Sequence, residues 1–200
     1  MRLGRLSILT LAVLAGALAV APAWAQTTTS SKAMTVQGST PEICTLDRGQ
    51  IGTGNLVNIV GLDGDTLRIQ QLTDPTTLAV RSTNATIDFA AVCNFPHEVR
   101  IESENNGLWP TDARISAPPD GFAYAVPYVA SLTWDNTNGS LDADAKVRRS
   151  VEQRVAVDEP AAGTLEVEIS IPEGASNVEV NAPVLAGDYT DTLRIYLEPR

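Results

Sequence analysis

The stretch from Gly163 to Ile171 reads GTLEVEISI. Leu165, Val167, Ile169 and Ile171 fall on one face, and Glu166, Glu168 and Ser170 on the other. Successive side chains of a strand point to opposite sides, so strict alternation with one apolar face describes a half-buried β-strand. The pattern recurs along the chain. TLRIQQL (66–72), TTLAVRS (76–82), TIDFAAVC (86–93), HEVRIES (97–103), FAYAVPYVASLTW (122–134) and NVEVNAPVL (177–185) all adjoin Gly, Pro, Asn or Asp turn residues. A last strand lies in LAGDYTDTLRIYLEPR (185–200). Seven or eight short strands with turns between them predict an all-β chain, an antiparallel sandwich or barrel. Pro127 lacks a ladder donor and marks an edge, a bulge or a break. One segment, LDADAKVRRSVEQRVAV (141–157), fits poorly and reads as a short helix or a long charged loop.

The first 25 residues stand apart. Arg2 and Arg5 precede the apolar run LSILTLAVLAGALAVAPA, and Ala23-Trp24-Ala25 follows it. A basic start, an apolar stretch and an Ala-x-Ala site describe a secretory signal peptide, with cleavage expected after Ala25. No later stretch is apolar and long enough to span a bilayer. Residues 26–42 form a polar N-terminal extension, and 43–200 suit one domain with a real core. With 24 acidic against 14 basic residues the net charge is −10, which disfavours nucleic acid and anionic lipid as partners. In an exported chain the two cysteines, Cys44 and Cys93, read as one disulfide.

Chemistry-bearing patterns are sparse. The single histidine, His97, reads as a surface residue at a strand start, and no Ser occupies a G-x-S-x-G elbow. Asp63 with Asp65, and Asp142 with Asp144, could serve as carboxylate pairs but read better as a turn and a solvated loop. No phosphate-binding loop or dinucleotide fingerprint occurs, and two cysteines with one histidine make a poor zinc set. The chain is therefore expected not to be an enzyme and to need no cofactor. Asn84-Ala85-Thr86 and Asn138-Gly139-Ser140 match the short glycosylation triplet. Trp109, Phe122, Tyr124, Tyr128 and Trp134 cluster in sequence, as core packing or as the lining of a ligand site.

Three features read together carry a resemblance. A cysteine follows a short alternating segment in AMTVQGSTPEIC, a second closes a strand in TIDFAAVCNFPHEVRIESENNG, and the chain ends in PVLAGDYTDTLRIYL. This resembles the spore coat protein U-like domain, a family that includes pilin subunits of archaic chaperone–usher fimbriae. The resemblance implies an incomplete, immunoglobulin-like antiparallel sandwich with one disulfide, in which a missing strand leaves an apolar groove. It implies an exported fibre subunit that passes through the periplasm to the cell surface. Its implied partners are a periplasmic chaperone, an outer-membrane usher and other pilin subunits, in a homo- or hetero-polymer. Met34, Val36 and Gly38 would be donor-strand residues, inserted in a neighbour's groove by β-strand addition. Tyr189, Leu193, Ile195 and Leu197 would line this chain's own groove, with Asp191 interrupting their face, and Cys44 and Cys93 would join the first strand to a neighbouring one. The alternative is a monomeric secreted or periplasmic sandwich that binds a glycan or surface ligand through its aromatic-rich region.

Overall fold

The computed structural model describes residues 30–54, 56–112 and 119–200. The expected signal peptide, residues 1–25, lies outside the described residues. The chain divides into two units, Met1–Ser39 and Thr40–Arg200. In the first, residues 30–39 carry no regular secondary structure and are exposed throughout.

The second unit is all-β, with no helix among the described residues. In chain order its strands are β1 (Cys44–Leu46), β2 (Gln50–Ile51), β3 (Ile59–Asp63), β4 (Thr66–Ile69), β5 (Thr83–Cys93), β6 (His97–Ser103) and β7 (Trp109–Pro110). They continue as β8 (Tyr128–Trp134), β9 (Thr137–Ala143), β10 (Val151–Val157), β11 (Ala161–Ile171), β12 (Tyr189–Thr190) and β13 (Leu193–Pro199). The first sheet runs β1-β5-β11-β8-β9, with β2 also on β5. The second runs β10-β6-β13, and β7–β12 and β3–β4 form two small ribbons. Every one of these strand pairs is antiparallel.

One apolar cluster joins the two sheets, so the unit is a sandwich. Leu165, Val167 and Ile171 of β11 and Leu132 and Trp134 of β8 share it with Val99 and Ile101 of β6 and Val155 and Val157 of β10. The GTLEVEISI alternation holds at Leu165, Val167 and Ile171, which are buried, and at Glu166, which is exposed, while Glu168, Ile169 and Ser170 are all half-buried. Cys44 and Cys93 form a disulfide between directly paired residues of β1 and β5.

Four expectations need correction. The 141–157 segment contains no helix: it holds the end of β9, a short connection and β10. Val151, Gln153, Val155 and Val157 alternate there, and β10 pairs along the whole of β6. Residues 76–82 hold only a single bridge, Thr73 to Val80. Residues 177–185 form no strand, because turns and bonds to the 124–125 segment hold their backbone and side chains. Asn177 Oδ1 accepts from the amides of Tyr124 and Ala125, and Asn181 is left-handed at φ 65°. The 122–134 strand starts only at Tyr128, because Pro127 breaks it from the bridge at Val126.

Candidate functional site

The two ends of the sandwich differ. At one end β9 and β10 are the edges, and they pack on each other. A Cβ on Gly139 of β9 would stand 2.4 Å from Val155 Cγ2 of β10, so only glycine allows this approach. At the other end the edges are β1 with β2 on one sheet and β13 on the other. Among the described residues no strand pairs with the outer edge of β13. Its inward side chains, Leu193, Ile195 and Leu197, are only half-buried. Their cross-strand partners on β6 are Ser103, Ile101 and Val99, of which Ile101 and Val99 are fully buried.

Beside these edges lies a groove of about 960 Å³. Ile87 and Phe89 of β5 and Val167 and Ile169 of β11 form its floor. Leu46 of β1 and the β3–β4 hairpin line one wall, and Tyr189, Leu193 and Ile195 the other. Leu197 lies outside the lining and, like Leu193 and Ile195, packs against the main core. An unpaired strand edge beside open apolar surface presents backbone donors, backbone acceptors and side-chain sockets together, which is what an added strand uses.

Asp191, which interrupts the apolar face, has a structural task. Its carboxylate accepts from Ser103 Oγ at 2.5 Å, the Asn105 amide at 2.9 Å and Tyr128 OH at 2.7 Å. It thereby ties the start of β13 to the turn after β6. Burial, and next the neighbouring Asp191 charge, push the Tyr128 phenol well above its ordinary pKa. Tyr189 pairs with Pro110 in the β7–β12 ribbon, and its hydroxyl donates to the Leu185 carbonyl at 2.8 Å. Its phenol is also raised by burial.

At the opposite pole of β13, Pro199 pairs with His97, close to the turn that follows Cys93. The chain enters the sandwich at that same pole. Asn94 Nδ2 donates to the Pro41 carbonyl at 2.8 Å, and Asn94 Oδ1 accepts from the Ile43 amide at 2.8 Å. Together with the disulfide, these bonds pin the chain just after the extension. Met34, Val36 and Gly38 lie in the first unit, where Met34 is 85% and Val36 84% exposed.

His97 is not a surface residue: it is 0% exposed. Trp134 Nε1 donates to its Nε2 at 2.8 Å, and its Nδ1 donates to the Phe95 carbonyl at 2.9 Å, so both ring nitrogens are occupied within the core. Of the clustered aromatics, Trp109, Tyr128 and Trp134 are buried, while Phe122 and Tyr124 are half-buried. The carboxylate pairs are dispersed. Asp63 pairs with Arg68 at 3.1 Å near the hairpin tip, and Asp142 is exposed on β9. Asp144 accepts from the Lys146 amide and from Asn106 Nδ2, which lower its pKa in that order. In the two glycosylation triplets, Asn84 Nδ2 is engaged by Glu168 at 2.7 Å, whereas Asn138 is exposed.

The outward face of β10-β6-β13 carries a charge ladder. Arg100 reaches Glu198 and Glu102 at 2.6 Å each and lies 3.7 Å over the Tyr196 ring. Arg154 reaches Glu98 at 2.8 Å and Glu152 at 2.9 Å. The Arg100 hydrogen bond lowers the Glu198 pKa, and the Arg154 hydrogen bond lowers that of Glu152. The charges on this face are paired with one another. No protein-family model matches the chain, and no curated protein matches it either.

Proposed function

We propose that this chain is an exported structural subunit that assembles by strand donation. Its groove receives residues 33–38 of a second copy or of a sister subunit, with Met34 and Val36 as apolar anchors and Gly38 as the small residue in phase. The observation that carries this reading is the free edge of β13 beside half-buried Leu193 and Ile195, in a sandwich whose other end is closed. The exposed alternation of Met34 and Val36 supports it, because two large apolar side chains on a segment without regular structure favour a partner's pocket. Polarity supports it too. The chain is pinned at the Pro199 pole, while the groove extends toward Leu193 and Tyr189 at the other pole. An arm from one pole and a socket toward the other make a head-to-tail contact, which repeats into a fibre instead of closing into a dimer.

In this reading the signal peptide sends the chain out of the cytoplasm, where the disulfide forms. A periplasmic chaperone covers the groove until an outer-membrane usher delivers the subunit to the surface fibre. The test is assembly in an oxidising compartment. The chain from Gln26 should form higher oligomers or require a chaperone. Deletion of residues 26–39, or Met34→Asp with Val36→Asp, should leave a folded monomer that cannot donate but still accepts a strand. Identical monomeric behaviour of all these forms would overturn the reading.

A further inference from the structure

The β3–β4 hairpin stands as a ribbon outside the two main sheets. Its two strands pair only with each other. Its base is held firmly. Asn58, left-handed at φ 59°, donates through Nδ2 to the Gln71 carbonyl at 2.7 Å and to Thr83 Oγ1 at 2.9 Å. The Gln71 amide donates back to Asn58 Oδ1 at 3.1 Å. Beyond that base a register shift falls between Ile59 and Gly61, and the tip residues Asp63, Gly64 and Asp65 are exposed. A two-stranded ribbon bonded only to itself is marginal in water and needs a surface to pack against. This one has only half of such a surface. Val60, Leu62, Leu67 and Ile69 all line the groove, yet Val60 is 67% exposed and the other three remain half-buried.

We propose that the hairpin is a clamp for the strand that enters the groove. It pivots at the Asn58–Gln71 base and lays Val60, Leu62 and Leu67 against the seated strand, while β13 holds that strand by backbone bonds. The proposal rests on the strand-accepting reading of the groove, and its occupant is the same segment, residues 33–38 of a second copy. One feature of that segment suits a second apolar wall. Met34 and Val36 are its only large apolar side chains, so the floor alone offers them few contacts. The hairpin supplies the apolar cover that two anchors lack. The clamp acts on release more than on capture, because it closes after the strand has docked.

The experiment uses the dilute full chain and a fluorescent synthetic peptide of residues 30–40. Amide hydrogen exchange across residues 59–69 should slow by about tenfold when the peptide binds, since the ribbon gains the packing it lacks. Leu62→Ser with Leu67→Ser should release the peptide about tenfold faster, with association and thermal midpoint little changed. Val60→Ser, at an exposed position that cannot impair folding, should speed release by a smaller factor. A bound peptide with unchanged exchange at 59–69, or with parental release from these variants, overturns the clamp and leaves strand acceptance standing. A peptide that does not bind the parent overturns both.

Discussion

Ile101 and Ile195 are the same residue type, face the same core and pair directly across β6 and β13. One is fully buried and the other half-buried. The difference lies in what each has above it. Ile101 sits in the middle strand of its sheet, between β10 and β13, whereas Ile195 sits on the edge strand over the groove. The contrast extends to the ends of the sandwich. Where β9 meets β10, the approach is so close that Gly139 has no room for a methyl group. Where β13 and β1 are the edges, apolar side chains line an open channel beside them. The sandwich is tightly closed at one end and carries an open apolar groove at the other.

The largest expected effect breaks the boundary between the two halves. β1 has only three residues, and the Cys44–Cys93 bond fastens it to β5. Cys44→Ser with Cys93→Ser should cost about 4 kcal/mol in denaturant unfolding, from the chain-entropy cost of a loop this long. It should also weaken peptide binding, because β1 supplies a groove wall. Next comes the isoleucine pair. Ile101→Ala should cost about 3 kcal/mol whether or not the groove is filled. Ile195→Ala should cost about 1 kcal/mol in the free chain and visibly more with a peptide of residues 30–40 bound, since the proposed strand would complete its burial. Equal costs in the free subunit would remove the distinction between the ends. Trp134→Phe leaves His97 Nε2 buried without its donor, and should cost about 2 kcal/mol while leaving strand binding intact.

The smallest effect concerns the charge ladder, which lies on the outer face and not in the groove. Glu198 and Glu152 have pKa values lowered below 4.5 by Arg100 and Arg154 respectively. A carboxylate lowered on folding stabilises the native state above its unfolded pKa, and the contribution is lost as pH falls through the folded value. The thermal midpoint should therefore fall as pH drops from neutrality to below 4.5. Glu198→Gln should flatten that fall, and because both carboxylates are partly solvent-exposed the change should be modest. Peptide affinity should not follow this titration.

Much of the fold was legible in the sequence, for a physical reason. A strand that packs one face must alternate, and β6 and much of β5 and β11 do so in phase with their burial. His97 shows how such a signal can be passed over. It shares the phase of Val99 and Ile101 in HEVRIES, so its burial was readable, but a polar ring at a strand start reads as exposed until Trp134 supplies its partner. The 177–185 segment shows the opposite error. Val178 and Val180 alternate as a strand would, yet both are exposed in a loop, because turn residues Asn177, Asn181 and Pro183 govern the backbone. The candidate site was only partly legible. Leu193, Ile195 and Leu197 announce an inward face, but their half-burial depends on what lies beside their strand, and that is a property of the assembled sheets. The hairpin's role at the groove wall carried no signal beyond Leu62 and Leu67, since a short ribbon looks the same whether it covers a core or a channel.

The central claim is that the outer edge of β13 is an empty strand position. Amide hydrogen exchange along Leu193–Pro199, measured on the dilute full chain with and without the peptide of residues 30–40, tests it most directly. In the free chain, the amides that face β6 should be protected and the alternate, outward ones should exchange rapidly. With the peptide bound, the outward amides should become protected and those facing β6 should stay unchanged. Outward amides already protected in the free monomer, or left rapid at saturating peptide, would contradict the account.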